Sequence, residues 1–395
     1  MTVWDDLIGQ REVVAELQAA AEAAARIVAG DSRAAGSMTH AWLFTGPAGS
    51  GRSVAARALA AALQCERTPR GCGECSGCRS VLAGSHPDVH PVVPEGLSIS
   101  VAEARSVVSG AARRPSLGFW QVVVIEDADR LTEQASNALL KAIEEPADRT
   151  VFLLCVPSTH PDDVSMTVRS RCRLVALRTP PADAVAEVLT RSGIDTDTAR
   201  WAAAAGQGHI GRARRLVNDD EARERRAAVL AIPASLTSLR ACLVAADQLV
   251  GAAEAEAAAL KADVDAGETE ALQIALGAGG TGKGTAGSAR GSAGALKDLE
   301  RRQKSRATRA QRDALDRALI DLAAFYRDAL LVHAGADVAP AHPDYDDDVR
   351  AVALKVEPAG ILQRLDAVLG CRTALELNVK PRIAVEAMMA KLRLP

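Results

Sequence analysis

Residues 40 to 53 read His40-Ala-Trp-Leu-Phe-Thr-Gly46-Pro-Ala-Gly49-Ser-Gly51-Arg52-Ser53, and the reading of this stretch decides the fold. Ala41 to Thr45 is apolar and aromatic, as a buried strand requires. Three glycines follow, and Val54 to Ala60 then has good helix propensity and no breaker. Strand, glycine turn and helix are the setting of a phosphate-binding loop. The spacing G-x-x-x-x-G-K-[ST] is met at Gly46, Gly51 and Ser53. Backbone N–H groups along this turn, Gly49 included, can wrap a phosphate chain at a helix N-terminus while the Ser53 hydroxyl ligates magnesium. Arg52 stands where the motif has lysine. A planar guanidinium does not replace a compact ammonium conservatively, so the stretch predicts a P-loop fold with a weakened site for ATP and Mg2+.

The matching acidic element lies further on. Trp120 to Ile125 is a β-branched run of the kind found in buried parallel strands, and it ends in Glu126-Asp127. P-loop enzymes place a magnesium-associated Asp and a water-polarising residue at such a strand end. Ring-forming members have Asp before Glu, and the order here is reversed. With Arg52, the reversal points to a degenerate Walker A and B site.

Directly after the P-loop helix comes Cys65-x6-Cys72-x2-Cys75-x2-Cys78, with glycines between the cysteines. Close C-x-x-C pairs in a glycine-rich turn let thiolates converge on zinc, and four of them close its coordination sphere. The expectation is a structural Zn2+ in an insert too small to build its own core. His86 and His90 follow as surface or packing residues. The chain has 395 residues and eight cysteines, and its first residues lack the basic and apolar regions of a signal peptide. No apolar run reaches membrane-spanning length. A cytoplasmic protein with metal-bound thiols rather than disulfides is expected. The net charge of -3 argues against coating nucleic acid by charge alone, and 3% aromatics argue against base stacking as the main contact.

Between these motifs the chain alternates helical and strand patterns. Glu12 to Ala29 is an alanine-rich helix, and Gly30 to Ser37 a loop. Ser100-Val-Ala-Glu103 is a capping box opening a helix that runs toward Pro115. Thr132 caps a helix with Ala135, Ala138, Leu139, Ala142 and Ile143 on its buried stripe, closed by Pro146. Thr150 to Cys155 is another buried strand, with Cys155 a small core residue, and Val168 to Arg173 carries three arginines. From Glu221 the chain reads as packed helices, interrupted by a flexible Gly/Ser-rich insert at 277–294. Inside it, Gly277 and Gly282-Lys283 imitate a phosphate loop, but Gly284 replaces the hydroxyl residue and the match is rejected. Leu296 to Ser305 is basic and reads as a solvated face, with a DNA or partner contact as the alternative. Leu315, Leu319 and Leu322 resume the helical period through Val332. Asp344 to Asp348 reads as an acidic loop, and Val352 to Leu369 and Ala374 to Leu394 as the closing helices.

Ile8-Gly9-Gln10, His40-Ala41 before Gly46-Pro47, the four cysteines, Asn137-Ala138-Leu139-Leu140-Lys141 with Glu144-Glu145-Pro146, and Ser170-Arg171-Cys172 follow the order and spacing of bacterial clamp loaders. The chain resembles the delta-prime family of DNA polymerase III clamp-loader subunits, specifically over about residues 1–220 and weakly beyond. The tau/gamma motor subunits are close relatives of that family. The resemblance implies an α/β AAA+ module with a parallel sheet over 1–178, a zinc insert at about 65–78, a helical lid over 179–220 and an all-α collar domain over 221–395 that joins five subunits. It also implies a Walker A loop at Gly46 to Ser53, Walker B at Glu126 and Asp127, a sensor-1 region at Ser158, zinc ligands at the four cysteines, and Arg171 as an arginine finger acting in trans.

In the lid signature Gly206 to Ala213, Gly211 stands where the motor subunits have arginine, with Arg212 one position late. Three ATPase departures beside a kept finger imply a subunit that completes its neighbour's site without hydrolysing ATP. Nucleotidyl transfer then belongs to the DNA-directed DNA polymerase complex as a whole. The implied partners are tau/gamma and delta subunits, a sliding clamp and primed DNA, in a hetero-oligomer with no membrane contact. Two other readings stay open: an ATP-hydrolysing motor subunit in which Arg52 and Asp127 work, and a zinc-dependent DNA-binding protein on an AAA+ frame.

Overall fold

Five short strands pair into one parallel sheet: β1 (Ala41–Thr45), β2 (Val89–Val92), β3 (Gln121–Ile125), β4 (Thr150–Val156) and β5 (Arg173–Ala176). They lie in the order β2-β3-β4-β1-β5, with Ala41 opposite Phe152 and Gln121 opposite Thr150. The structure, a computed structural model, describes residues 2–31, 38–94, 96–275 and 288–393. Most of the expected loop at 30–37 lies outside the described residues.

β1, β3 and β4 are buried along their whole length, which is why their sequences run apolar without alternation. One face of the sheet presents Trp42, Phe44, Val122, Val124 and Leu153 to helices α1 (Arg11–Val28) and α2 (Arg52–Leu63). Leu17, Ala20 and Ala24 of α1, and Leu59 and its neighbouring alanines of α2, fill that layer. The short α3 (Ser76–Leu82) follows α2. The other face presents Leu43, Val123, Ile125, Phe152 and Leu154 to α4 (Val101–Ala111) and α5 (Glu133–Glu144).

The local signals act as expected. Ser100 Oγ accepts the Glu103 N–H at 3.3 Å while the Ser100 N–H donates to the Glu103 carboxylate at 2.7 Å, and Thr132 Oγ1 accepts the Ala135 N–H at 3.2 Å. On α5 only Ala135, Leu139 and Ile143 are fully buried, and Ala138 and Ala142 are half-buried at the margin. After β4 come a single turn, α6 (Met166–Arg169), then β5, α7 (Ala182–Arg191) and α8 (Thr196–Gly206).

Two strands were not legible beforehand. β2 is Val-His-Pro-Val, and Pro91 is tolerated because β2 is an edge strand paired only with β3. β5 is the opposite edge and buries only Val175; its Arg173 pairs with Glu16 at 2.7 Å. Just before β2, buried Asp88 accepts the N–H groups of Ser116, Leu117 and Gly118 and the Ser116 hydroxyl, all at 2.6–2.8 Å. This carboxylate fastens the loop that feeds β3.

The chain divides into two compact units. The first comprises Met1–Pro94, Ser98–Ala203 and Gly208–Ala213, and the second Glu95–Leu97, Ala204–Gln207 and Arg214–Pro395. The second is helical, built from most of α9 (Ile210–Asn218) with α10 (Asp220–Leu230), α11 (Ile232–Ser235), α12 (Leu239–Ala275), α13 (Ser288–His333), α14 (Asp346–Lys355), α15 (Pro358–Glu376) and α16 (Pro381–Arg393). Leu315, Leu319, Leu322, Phe325 and Tyr326 of α13 form its core with Leu249, Val368, Val385 and Met389. Arg226, with its side chain 5% exposed, pairs with Asp344 through both terminal nitrogens and donates to His342 Nδ1 at 2.9 Å.

Several expectations for this half need correction. Residues 277–287 of the Gly/Ser-rich insert, including the rejected Gly277 to Gly284 segment, lie outside the described residues, and from Ser288 the chain is already helical. The acidic run is no loop: Pro343–Tyr345 is a 3-10 turn, and Asp346, Asp347 and Asp348 form the first turn of α14. There they meet the positive end of the helix dipole. The helix expected over 352–369 breaks because Pro358 starts α15 and holds Glu357 extended, with ψ 149°. The helix expected over 374–394 breaks between Glu376 and Pro381, where Asn378 takes φ +64°.

Candidate nucleotide site and metal centre

The turn between β1 and α2 keeps the geometry of a phosphate cradle. Gly49 has φ +85°, and a Cβ there would lie 2.7 Å from the Cβ of His209. Only glycine fits, both for its backbone and for the side chain that lies against it. Gln10, almost fully buried, anchors the loop by donating to the Arg178 carbonyl at 2.5 Å and the Ser50 carbonyl at 3.4 Å. Two donors within the loop have no protein partner: Ser50 Oγ, in a residue 2% exposed, and Arg52 Nη1. Such orphans are costly unless a ligand or water satisfies them, so the cradle fits an anion.

On the magnesium side of the site the acidic groups lie beside cations of the chain itself. Burial first, and the nearby Glu126 charge second, push the Cys155 thiol up to about 12. Glu126 Oε1 lies 3.4 Å from Arg57 Nη2 of α2. Asp127 takes a left-handed backbone, φ +52°, with its carboxylate 3.9 Å from Arg130. Next to it, burial first and the Asp127 charge second raise the pKa of Asp129. Glu126 and Asp127, the acids that would serve Mg2+, thus each face an arginine of this chain. Ser158 is likewise engaged, donating to Asp163 at 2.5 Å and accepting the His160 N–H at 3.0 Å.

Arg171 follows α6 and bonds none of the P-loop residues. Its Nε lies 2.6 Å from Glu144 Oε1, at the C-terminus of α5, and its Nη1 donates to the Thr167 carbonyl at 2.9 Å and to Ser170 Oγ at 3.1 Å.

The four cysteines come together. Their sulfur atoms all lie within 4.8 Å of one another; Cys65 and Cys72 are 3.7 Å apart, and Cys75 and Cys65 3.8 Å. Tetrahedral thiolates about 2.3 Å from one zinc ion are separated by about 3.8 Å, so the set fits that metal and is far too open for a disulfide. The N–H groups of Glu74 and Cys75 point at Cys72 Sγ, and the Cys78 N–H at Cys75 Sγ. Burial works against the Cys72 thiolate, yet the Glu74 and Cys75 N–H groups, with the Cys65 and Cys75 thiols, hold its pKa down to about 7. The insert is fastened from outside as well: Trp4 Nε1 donates to the Arg70 carbonyl at 3.1 Å, and Val3 N–H to the Gly71 carbonyl at 3.0 Å.

Sequence reasoning missed Gln10, Arg57, Glu144 and His209 as parts of these sites. Gln10 was visible only as part of Ile8-Gly9-Gln10, which otherwise reads as a turn. Arg57 lies 69 positions from Glu126, and no local spacing links them.

A parallel sheet with a phosphate-binding loop after β1 and an acidic end on β3 defines a P-loop module. Residues 24–181 match the family described as "DNA polymerase III, delta subunit". The DNA polymerase III subunit delta' of Pseudomonas aeruginosa is 40% identical over 157 residues, covering 39% of this chain and 47% of that protein. The subunit delta' of Bacillus subtilis is 31% identical over 194 residues, covering 49% and 58%, and the subunit tau of the same organism 31% over 172 residues, covering 43% and 28%. The similarity to delta-prime read from the motifs therefore holds, and the chain spans about half the length of the curated delta-prime relatives it matches. No described helix is long and apolar enough to cross a membrane.

Proposed function

We propose that this chain is a delta-prime-type subunit of a DNA polymerase III clamp loader, which does not itself hydrolyse ATP and which lends Arg171 in trans to ATP held by a tau/gamma-type neighbour. The observation that carries this reading is the pairing of Glu126 with Arg57 at 3.4 Å. The arginine competes with metal and water for this carboxylate, whereas the phosphate cradle beside it stays formed. The chain is then a nucleotide-tolerant frame rather than a motor. Similarity to delta-prime proteins over the first half of the chain supports the assignment.

In this reading residues 1–178 are the AAA+ module, 179–220 the lid and 221–395 the collar that joins other subunits. Cys65, Cys72, Cys75 and Cys78 hold a structural zinc ion with no open coordination position. The complex, with delta and tau/gamma subunits, places a sliding clamp on primed DNA in the cytoplasm.

The test reconstitutes such a loader with this chain present or omitted, measures clamp loading, and separately measures phosphate release by the isolated chain. Loading that requires the chain, with no phosphate release above background, is the expected result. Hydrolysis by the isolated chain that Asp127→Asn abolishes would replace this reading with the motor. Tight DNA binding by the isolated chain that is lost on removing the metal would replace it with the zinc-dependent DNA-binding protein.

A further inference from the structure

Resting on the finger reading of Arg171, we infer that Glu144 is the positioning residue that presents the guanidinium to the neighbouring subunit's γ-phosphate. Arg171 carries five N–H donors in a rigid fork. Nε lies 2.6 Å from Glu144 Oε1 in an ion pair, and Nη1 donates to the Thr167 carbonyl and Ser170 Oγ at 2.9 and 3.1 Å. The guanidinium is thus held on its Nε side by Glu144 and at Nη1 by the turn that carries it.

The pair is poorly suited to a stabilising role. The side chains of Arg171 and Glu144 are 36% and 42% exposed, and exposed ion pairs of this kind add little to stability. A long arginine free in solvent would have to be ordered at the moment of reaction; one already held gives up less rotamer freedom and acts from a set place. Glu144 is well situated for this, because α5 is buried against the sheet through Ala135, Leu139 and Ile143 and carries the carboxylate on its last residue. The negative end of that helix also favours the arginine. The finger and its holder come from separate elements: Glu144 from the Glu144-Glu145-Pro146 motif, and Arg171 from Ser170-Arg171-Cys172.

The test uses the complete reconstituted loader carrying this chain as wild type, Glu144→Ala, Glu144→Gln, Arg171→Ala or the double variant, with assembly checked for each. Glu144→Ala is expected to assemble normally and lower kcat for ATP on the order of tenfold to a hundredfold, leaving KM within about twofold. Glu144→Gln, which keeps an acceptor without the charge, should fall between it and wild type. The double variant should be no slower than Arg171→Ala, because Glu144 acts only through that residue. Wild-type or faster turnover by Glu144→Ala, with Arg171→Ala crippled, overturns the positioning role and leaves the finger standing; faster turnover would make the pair a latch. Wild-type turnover by Arg171→Ala overturns the finger reading itself, and the inference with it. Should Glu144→Ala fail to assemble, Glu144→Gln decides alone, by the same criteria.

Discussion

Arg57 of the P-loop helix reaches the end of β3 and places its guanidinium 3.4 Å from the carboxylate of Glu126. The two motifs that bind nucleotide and metal in a working P-loop enzyme are here joined to each other. Restoring lysine at position 52 repairs one defect and leaves this pairing, and that of Asp127 with Arg130, in place. Arg52→Lys is expected to give no ATPase above background in a steady-state phosphate-release assay, and a clear gain would show the site to be merely impaired.

The cysteine geometry predicts metal. Purified protein should carry about one zinc ion per chain by elemental analysis. Cys75→Ser should lose it and, for a loss of about 3 kcal/mol, lower the unfolding midpoint by roughly 6–12 °C. A metal-free preparation that melts with wild type would refute the site.

Asp88 supplies a prediction in pH. Burial alone would raise its pKa, but the N–H groups of Gly118, Ser116 and Leu117 and the Ser116 hydroxyl bring it down from 3.8 to about 2. Because the folded value lies below the unfolded one, the carboxylate stabilises the first unit fully above about pH 4, and that contribution disappears as the pH falls toward 2. Asp88→Asn should destabilise the protein by about 2 kcal/mol at neutral pH, since an amide cannot accept all of these donors. The difference between variant and wild type should shrink in acid melts.

In the second unit, Arg226 answers both Asp344 and His342 from a side chain that is nearly inaccessible. Arg226→Ala removes the donor that Asp344 and His342 share, and is expected to cost about 2–3 kcal/mol in chemical denaturation. A variant within about 0.5 kcal/mol of wild type, the range of ordinary surface changes, would show that the network is not structural.

What the sequence disclosed was what short spacing encodes. The strand at Ala41 to Thr45, the glycine turn, the reciprocal cap at Ser100 and Glu103, and the convergence of the four cysteines each depend on residues a few positions apart. β2 escaped because Pro91 and His90 mask a strand whose only requirement is an edge. The helix breaks before Pro358 and Pro381 were local signals that an alanine- and leucine-rich background obscured. The state of the site was not legible, because it is set by pairs that only the fold brings together. Arg57 with Glu126 and Arg171 with Glu144 are such pairs, and sequence distance carries no trace of them.

The account stands most directly on Arg171. DNA- and clamp-stimulated ATPase of the reconstituted loader, with this chain as wild type or Arg171→Ala, reads its role at the neighbouring site. Loss of a trans finger typically costs about three to five orders of magnitude at the site it serves. The account predicts normal assembly and collapse of the stimulated rate at that site with Arg171→Ala. Undiminished stimulation by the variant would contradict it.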